Sequence, residues 1–497
     1  MDSLGYLIDG LGTALEPYNL LFALIGCLIG TAVGVLPGVG PTAATAMLIP
    51  MTIGLDPIAA IIMLSAIYYG AQYGGTITSV LINTPGEVAS AVTCIDGYQM
   101  AKKGRAATAL AVSAVGSFIG GTIASFGLVL LAIPLTSMAL KFGPPELCAL
   151  MIFGLTLVVG LGGKSLKRAV IAACIGLLIG LVGIDPVAGE PRFTFGMPEL
   201  LDGLDFVPVL MGLFGVSEIL LNLGGGGSAQ GPQRVAKRTE WRVVGKSMPA
   251  IGRGTGLGFL LGLIPGVGAA VPTYLSYALE RKVSKHPERF GKGAVEGVAG
   301  PETANNSYAS ASMIPLFTLG IPGSATLAVL MGAFLMNGLS PGPLLFSEHP
   351  DFAWAVIASF YVGNVILIIL NLPLIPMWVK ILKVPYKVLY PLILVMAIVG
   401  SIALRGEVFD AGVMLFFGLV GVACRRLDIP LAPMSLTLIL GPMIEKSLRQ
   451  SLSLSQGDFS IFFSRPISLA LMVLSAVVIG VFALNLVRGD SRVESET

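Results

Sequence analysis

The four residues Pro-Gly-Val-Gly occur twice in this chain, at 37–40 and at 265–268. Proline ends or starts a helix, and glycine permits a tight reversal. A helix that begins at such a break offers free N–H groups and the positive end of its dipole, which seats an anion. A helix that ends there offers carbonyls, which suit a cation such as sodium. A further break follows each copy: Thr84-Pro85-Gly86 after the first and Ile321-Pro322-Gly323 after the second. The candidates for holding an anionic substrate are therefore Gly38, Val39, Gly40 and Thr42, with Gly266, Val267 and Gly268 at the second copy. Pro85 and Gly86, and Pro322, Gly323 and Ser324, complete that set.

Hydroxyl and amide side chains crowd the same stretches, "YYGAQYGGTITSVLINTPGE" (68–87) and "ANNSYASASMIPLFTLGIPGS" (304–324). Asn83, Thr84, Asn305, Asn306 and Ser307 are candidate cation ligands, because an amide in a membrane needs partners and its carbonyl coordinates sodium well. Ser and Thr equally serve helix backbone and close packing. Glu302, beside the Asn pair, joins the cation set, since intramembrane acids are expensive and often serve ions or protons. Glu87 fits that role or the first turn of a helix. Asp96, close to Lys102, Lys103 and Arg105, reads as structural. Tyr68, Tyr69 and Tyr73 fit either a cavity wall or an interfacial belt. No Arg or Lys lies within these small-residue cores. An anion there would be met by helix N-termini, hydroxyls, amides and a co-transported cation.

The elements that must position these groups are membrane helices. The chain has 497 residues, 55% of them hydrophobic and only 12% charged, with a mean hydropathy of +0.87. A soluble chain carries about a quarter charged residues. The expected fold is an all-α polytopic membrane protein with about 10 to 14 transmembrane segments. Several of these are interrupted by Gly or Pro, as near 254–280. A net charge of +2 gives no electrostatic case for nucleic acid. The five cysteines are scattered without a CxxC, and the two histidines, His286 and His349, lie in polar stretches. No cofactor is expected, and no transition-metal site. No cleavable signal pattern opens the chain, and residues 1–17 read as an amphipathic surface helix.

A Gly-rich, basic segment at 223–249 divides the sequence into a first transmembrane half (1–222) and a second (250–465), with a C-terminal helix and polar tail at 466–497. Basic loops face the cytoplasm. In the first half the basic cluster follows the second break, at 102–105. In the second half the basic stretch "ERKVSKHPERFGKG" (280–293) lies between the two breaks instead. Equivalent loops then sit on opposite sides, as in an inverted-topology repeat. Non-helical backbone survives at membrane depth only inside protein or along a water-filled cavity, so the breaks are expected to face a shared cavity.

Four stretches carry a family likeness: "GVLPGVGPTAATAMLIP" (34–50), "YGAQYGGTITSVLINTPGEVASAVTCIDGYQMAKKGRAATAL" (69–110), "PETANNSYASASMIPLFTLGIPGS" (301–324) and "GPMIEKSLRQSLSLSQGDFSIFFSRPIS" (441–468). They closely resemble the large membrane subunit of tripartite tricarboxylate transporters, the TctA family. The resemblance implies a secondary-active importer of a di- or tricarboxylate in the bacterial inner membrane, driven by a sodium or proton gradient. It implies two partners, a small membrane subunit and a periplasmic solute-binding protein, with homo-oligomerisation open. A carboxylate channel or facilitator, or a scaffold subunit without coupling, is the alternative. An enzyme is not expected: the sequence is read as carrying no GxSxG elbow, no GxGD pair and no HExxH motif.

Overall fold

The computed structural model describes residues 3–36, 40–161, 165–185, 189–223, 239–381 and 386–493. These residues form an all-α polytopic membrane protein, whose one sheet is a short antiparallel hairpin of Gly183–Ile184 with Pro191–Arg192. Four described helices are long and apolar enough to cross a membrane: Pro17–Gly34, Ala106–Ala139, Pro350–Asn371 and Val408–Arg426. The 26-residue helix Pro57–Ile82 lies almost wholly inside the protein, buried from Ala59 to Leu81.

Two helix pairs are built alike. Gly26, Gly30 and Gly34 of Pro17–Gly34 lie against the backbone at Met63, Ile67 and Ala71 of Pro57–Ile82, so closely that a Cβ on any of them would strike a carbonyl. In the second half, Gly254, Gly258 and Gly262 of Met248–Gly262 meet Gly300, Ala304 and Tyr308 of Glu296–Ala311 in the same way. Apolar chains in lipid gain little from mutual burial, so close backbone approach at small residues supplies the packing. Residue numbers rise together along both pairs, so each pair is parallel. Gly258→Leu is expected to force the pair apart. Its four-carbon side chain would run into the Ala304 backbone and the Ser307 side chain, and detergent-solubilised protein should aggregate or melt well below the wild type, an overpacking cost of about 3 kcal/mol or more.

Between the halves the direction reverses. Gln72 meets Asn305 and Thr76 meets Glu302, so Pro57–Ile82 and Glu296–Ala311 run past one another in opposite senses. Each is also backed by a helix from the other half. Gly116 and Gly120 of Ala106–Ala139 pack on Thr303, and Gly363 of Pro350–Asn371 packs on Tyr69.

The expected span near 254–280 is two helices, Met248–Gly262 and Ala270–Val283. The chain breaks where Gly266 (φ 85°) and Gly268 (φ 69°) take left-handed backbone that other residues resist. The N-terminal segment is a helix, Ser3–Ala14, held against Pro350–Asn371 by Gly10 on the Trp354 backbone and by a Tyr6–Trp354 stack at 5.6 Å. Of the divider, residues 224–238 lie outside the described part. Beyond them, Glu240 caps nothing but binds Arg105 at 2.7 Å, and that guanidinium holds its carboxyl below the usual range.

Three basic loops meet on one face. Lys103 Nζ donates to the Lys292 carbonyl at 2.5 Å, and the Arg105–Glu240 pair lies beside them. Asp96 organises this junction. Its carboxylate is fully buried and accepts from Tyr277 Oη (2.8 Å) and from the backbone N–H groups of Gly291 (3.1 Å), Gly293 (2.6 Å) and Ala294 (2.8 Å). Asp96→Asn turns an acceptor oxygen into a donor facing donors. We expect about 2–4 kcal/mol of lost stability, read as a lowered midpoint in thermal melts of the purified protein.

Candidate functional site

The two breaks of the second half hold each other. Gly266 N–H donates to the Gly323 carbonyl at 2.9 Å, and Tyr308 Oη donates to the same oxygen at 3.3 Å. In the first half, Gly86 packs on the Gly34 carbonyl at the end of the helix that leads into the 37–40 break, and on the Gly75 backbone. Only glycine fits there. Gly38 and Val39, with Pro37, lie outside the described residues, and Gly40 opens the next helix with φ 63°.

These breaks surround a cavity of about 770 Å³. Of the residues expected to hold an anion, Gly40, Thr42, Pro85, Gly86, Gly266, Val267, Gly268, Gly323 and Ser324 line it, while Pro322 is buried behind them. Four helices present their N-terminal residues to this space: Gly40–Leu48, Ala270–Val283, Ala325–Met336 and Leu431–Leu454. Ser324 Oγ caps its own helix, accepting from Leu327 N–H at 3.3 Å. Thr42 Oγ1 and Thr326 Oγ1 share a hydrogen bond of 2.7 Å that ties the two halves together at the cavity wall. Four converging dipole ends make the space favourable to negative charge.

The other predicted residues divide. Glu302, Asn305 and Asn306 come together directly behind the cavity, all buried. Glu302 accepts hydrogen bonds from the hydroxyls of Thr76, Thr93 and Ser113, the last at 3.3 Å. Asn305 Nδ2 donates to Glu87 Oε1 at 2.7 Å. Gln72, with its amide nitrogen turned toward these acceptors, donates to Glu87 and to Asn305 Oδ1 at 3.2 Å. Glu87 and Gln72 themselves line the cavity, so this relay connects the cavity wall to the buried Asn305. Asn306 Nδ2 donates to Ser117 Oγ at 2.7 Å. Ser307 turns away and donates to the Thr255 carbonyl at 2.8 Å. Asn83 and Thr84 lie apart from this group. Asn83 is the exposed, left-handed C-cap of Pro57–Ile82, and Thr84 Oγ1 bonds the Ile82 carbonyl at 3.3 Å. Of the three tyrosines, Tyr68 faces the cavity, and Tyr69 and Tyr73 are buried against Phe360 and Asn364.

Two charged residues that the motifs do not include reach the cavity. Arg425, from the end of Val408–Arg426, lines it and ion-pairs with Glu218, which lines it too. A cationic side chain therefore stands where the small-residue cores supply none. In the sequence Arg425-Arg426 reads as a basic pair closing an apolar helix, an ordinary interfacial anchor. The string Gly338-Leu339-Ser340-Pro341-Gly342 matches the GxSxG spelling of a hydrolase elbow. It lies between two helices rather than at a strand-to-helix turn, so it lacks that geometry.

Residues 20–436 match the tripartite tricarboxylate transporter TctA family. The chain belongs to this family. A TctA-family protein is a tricarboxylate transporter subunit that works with partner subunits, and this one is a multi-pass membrane protein. The chain is 46% identical to a 52.8 kDa protein of the TAR-I ttuC' 3' region of Agrobacterium vitis, over 98% of each. It is 42% identical to a protein of the TAR-II ttuC' 3' region of the same organism, over 45% of this chain and 92% of that protein. No solved structure matches the chain. The family match ends at Leu436, so it includes both sets of breaks, Glu302 and Arg425.

Proposed function

We propose that this TctA-family subunit imports a di- or tricarboxylate across the bacterial inner membrane by symport with sodium or protons. A periplasmic solute-binding protein would feed it, and a small membrane subunit would complete the complex. The observation that carries this reading is the cavity of about 770 Å³, lined by four helix N-termini and Arg425. Its size suits a small organic ligand, and its partial charges suit carboxylates. Glu87 in the wall and Glu302 behind it are buried acids, costly to ionise without a counter-charge. A carboxylate enters beside them more easily when a cation or proton enters too.

The reversed contacts of Pro57–Ile82 and Glu296–Ala311 support an inverted repeat. In such folds substrate binds at the repeat interface, and one part rocks against the other. With the basic face placed in the cytoplasm, Glu218, Arg425 and Ile429 lie at the cytoplasmic ends of their helices, next to Asp428, which pairs with Arg168 at 3.1 Å. That supports an inward-facing state. The test is uptake of labelled carboxylate into proteoliposomes holding the complex. Accumulation against a gradient should require an inward sodium or proton gradient. Equal uptake with neither gradient would leave a facilitator.

A further inference from the structure

The loop that follows the short hairpin exposes aromatic side chains on strained backbone. Phe193 (φ 54°) and Phe195 (φ 51°) both take left-handed backbone, a conformation costly for a bulky residue. Phe195 is 85% exposed and Phe193 52%, with Met197 beside them, while Thr194 between them is turned inward and buried. The loop is not left to move. Arg192 is fixed by Glu445 at 2.8 Å and by Asp185 at 3.4 Å, and Arg449 binds the same Asp185 at 2.8 Å. Ile184 N–H also donates to the Leu201 carbonyl at 3.0 Å. A fold that holds two phenylalanines outward in this way spends stability on presenting them.

The side of the membrane follows from the chain path. From this loop the helical stretch Phe206–Leu223 runs about 27 Å and ends at the segment leading to the basic Trp241–Lys246 face. Arg168–Asp428 joins one end of the flanking helices, and Arg192–Glu445 joins the other. The aromatic loop therefore lies opposite the basic loops, which the charge rule assigns to the cytoplasm. Exposed Glu190, Glu199 and Asp202 ring it. An acidic rim is repelled by anionic lipid and complements a basic one.

We propose that the 193–197 loop is the docking point for the soluble solute-binding protein, which receives Phe193 and Phe195 in an apolar pocket with a basic rim. This rests on the reading of the chain as an importer fed by such a protein. Buried aromatic anchors inside a polar rim dominate interface affinity, and rim charges act mainly on association rate and salt dependence.

The test uses the complex in nanodiscs and in proteoliposomes, with the periplasmic carboxylate-binding proteins of the same cell purified singly. Phe195→Asp changes a side chain that packs on little, so folding is spared. It should weaken binding of the partner protein at least about 10-fold and raise by the same factor the partner concentration for half-maximal uptake. Uptake at saturating partner should match the wild type. Glu199→Lys should weaken binding in the same direction. If the wild type depends on the partner and Phe195→Asp binds it unchanged, the loop assignment falls and the importer reading stands. If the wild type neither binds nor needs any such protein, both fall. Quenching of a fluorophore on Phe195→Cys by brominated lipid, or its disulfide cross-linking to a second copy, would overturn the assignment in favour of a membrane or self-association seat.

Discussion

Arg425→Gln is expected to raise the carboxylate concentration for half-maximal uptake about 10- to 100-fold. Arg425 is the one cationic side chain among the described residues of the cavity lining. A charge-assisted contact to a carboxylate contributes about 1.5–3 kcal/mol, and about 1.4 kcal/mol corresponds to a factor of ten. The substitution also leaves Glu218 in the cavity without that partner, adding a repelling charge. Glu218→Gln should act the other way. In the present arrangement the Glu218 carboxylate occupies the guanidinium that a substrate carboxylate would take. Removing its charge should lower half-saturation several-fold, and slow release of substrate should then reduce the maximal rate. The double substitution should fall between the single ones, because the two residues share one interaction. Titration calorimetry on the solubilised complex separates affinity from rate. An unchanged affinity in Arg425→Gln would remove this residue from the site.

Glu302→Gln is expected to abolish gradient-driven accumulation, lowering uptake about 100-fold or more, while carboxylate still binds. Glu302 is a fully enclosed acid with the hydroxyls of Thr76, Thr93 and Ser113 around it. It lies where the oppositely running helices of the two halves cross. Such a group changes its interactions whenever a cation or proton arrives or leaves. Glutamine keeps the size and an acceptor oxygen, so the hydroxyls retain a partner and the helices remain packed. The variant should elute as the wild type does, bind carboxylate in calorimetry, and exchange labelled for unlabelled substrate without accumulating it. Normal accumulation would exclude Glu302 from coupling. Asn305→Ala should show a milder form of the same loss, since Asn305 links Glu87 in the wall to this buried region.

Much of this arrangement was legible in the residues. The paired Pro-Gly breaks announced interrupted helices, because glycine and proline act on backbone wherever they stand. Residues 266–268 and Gly323 meet at the cavity wall for that reason. The swapped position of the basic loops raised an inverted repeat, and the opposed contacts of Gln72 and Thr76 with Asn305 and Glu302 favour it. What the residues withheld depends on distant packing. Arg425 reaches the cavity only because Gly418 and Gly421 bring its helix onto Val216 and Ser217, next to Glu218. Nothing local to "ACRRLDIP" signals that. Asn83 lies apart from the buried group, as the C-cap of its helix. An amide beside a Pro-Gly break suggests a ligand, yet Asn is also the residue, after glycine, that best tolerates the left-handed turn ending a helix. Ser307 shows the ordinary alternative for hydroxyls in membranes, a bond to the neighbouring helix backbone.

The central claim is that carboxylate occupies the cavity between the breaks, and one measurement tests it directly. Single cysteines are placed at Thr326 and Ala89, both in the cavity wall, in a background with Cys27, Cys94, Cys148, Cys174 and Cys424 replaced. The rate of their modification by a small charged thiol reagent is followed in proteoliposomes while carboxylate is added. The account predicts that transported carboxylates slow modification at both positions, with a concentration dependence matching uptake, and leave a cysteine at exposed Phe195 unaffected. Modification at Thr326 and Ala89 that proceeds at the same rate under saturating, transported carboxylate would contradict it.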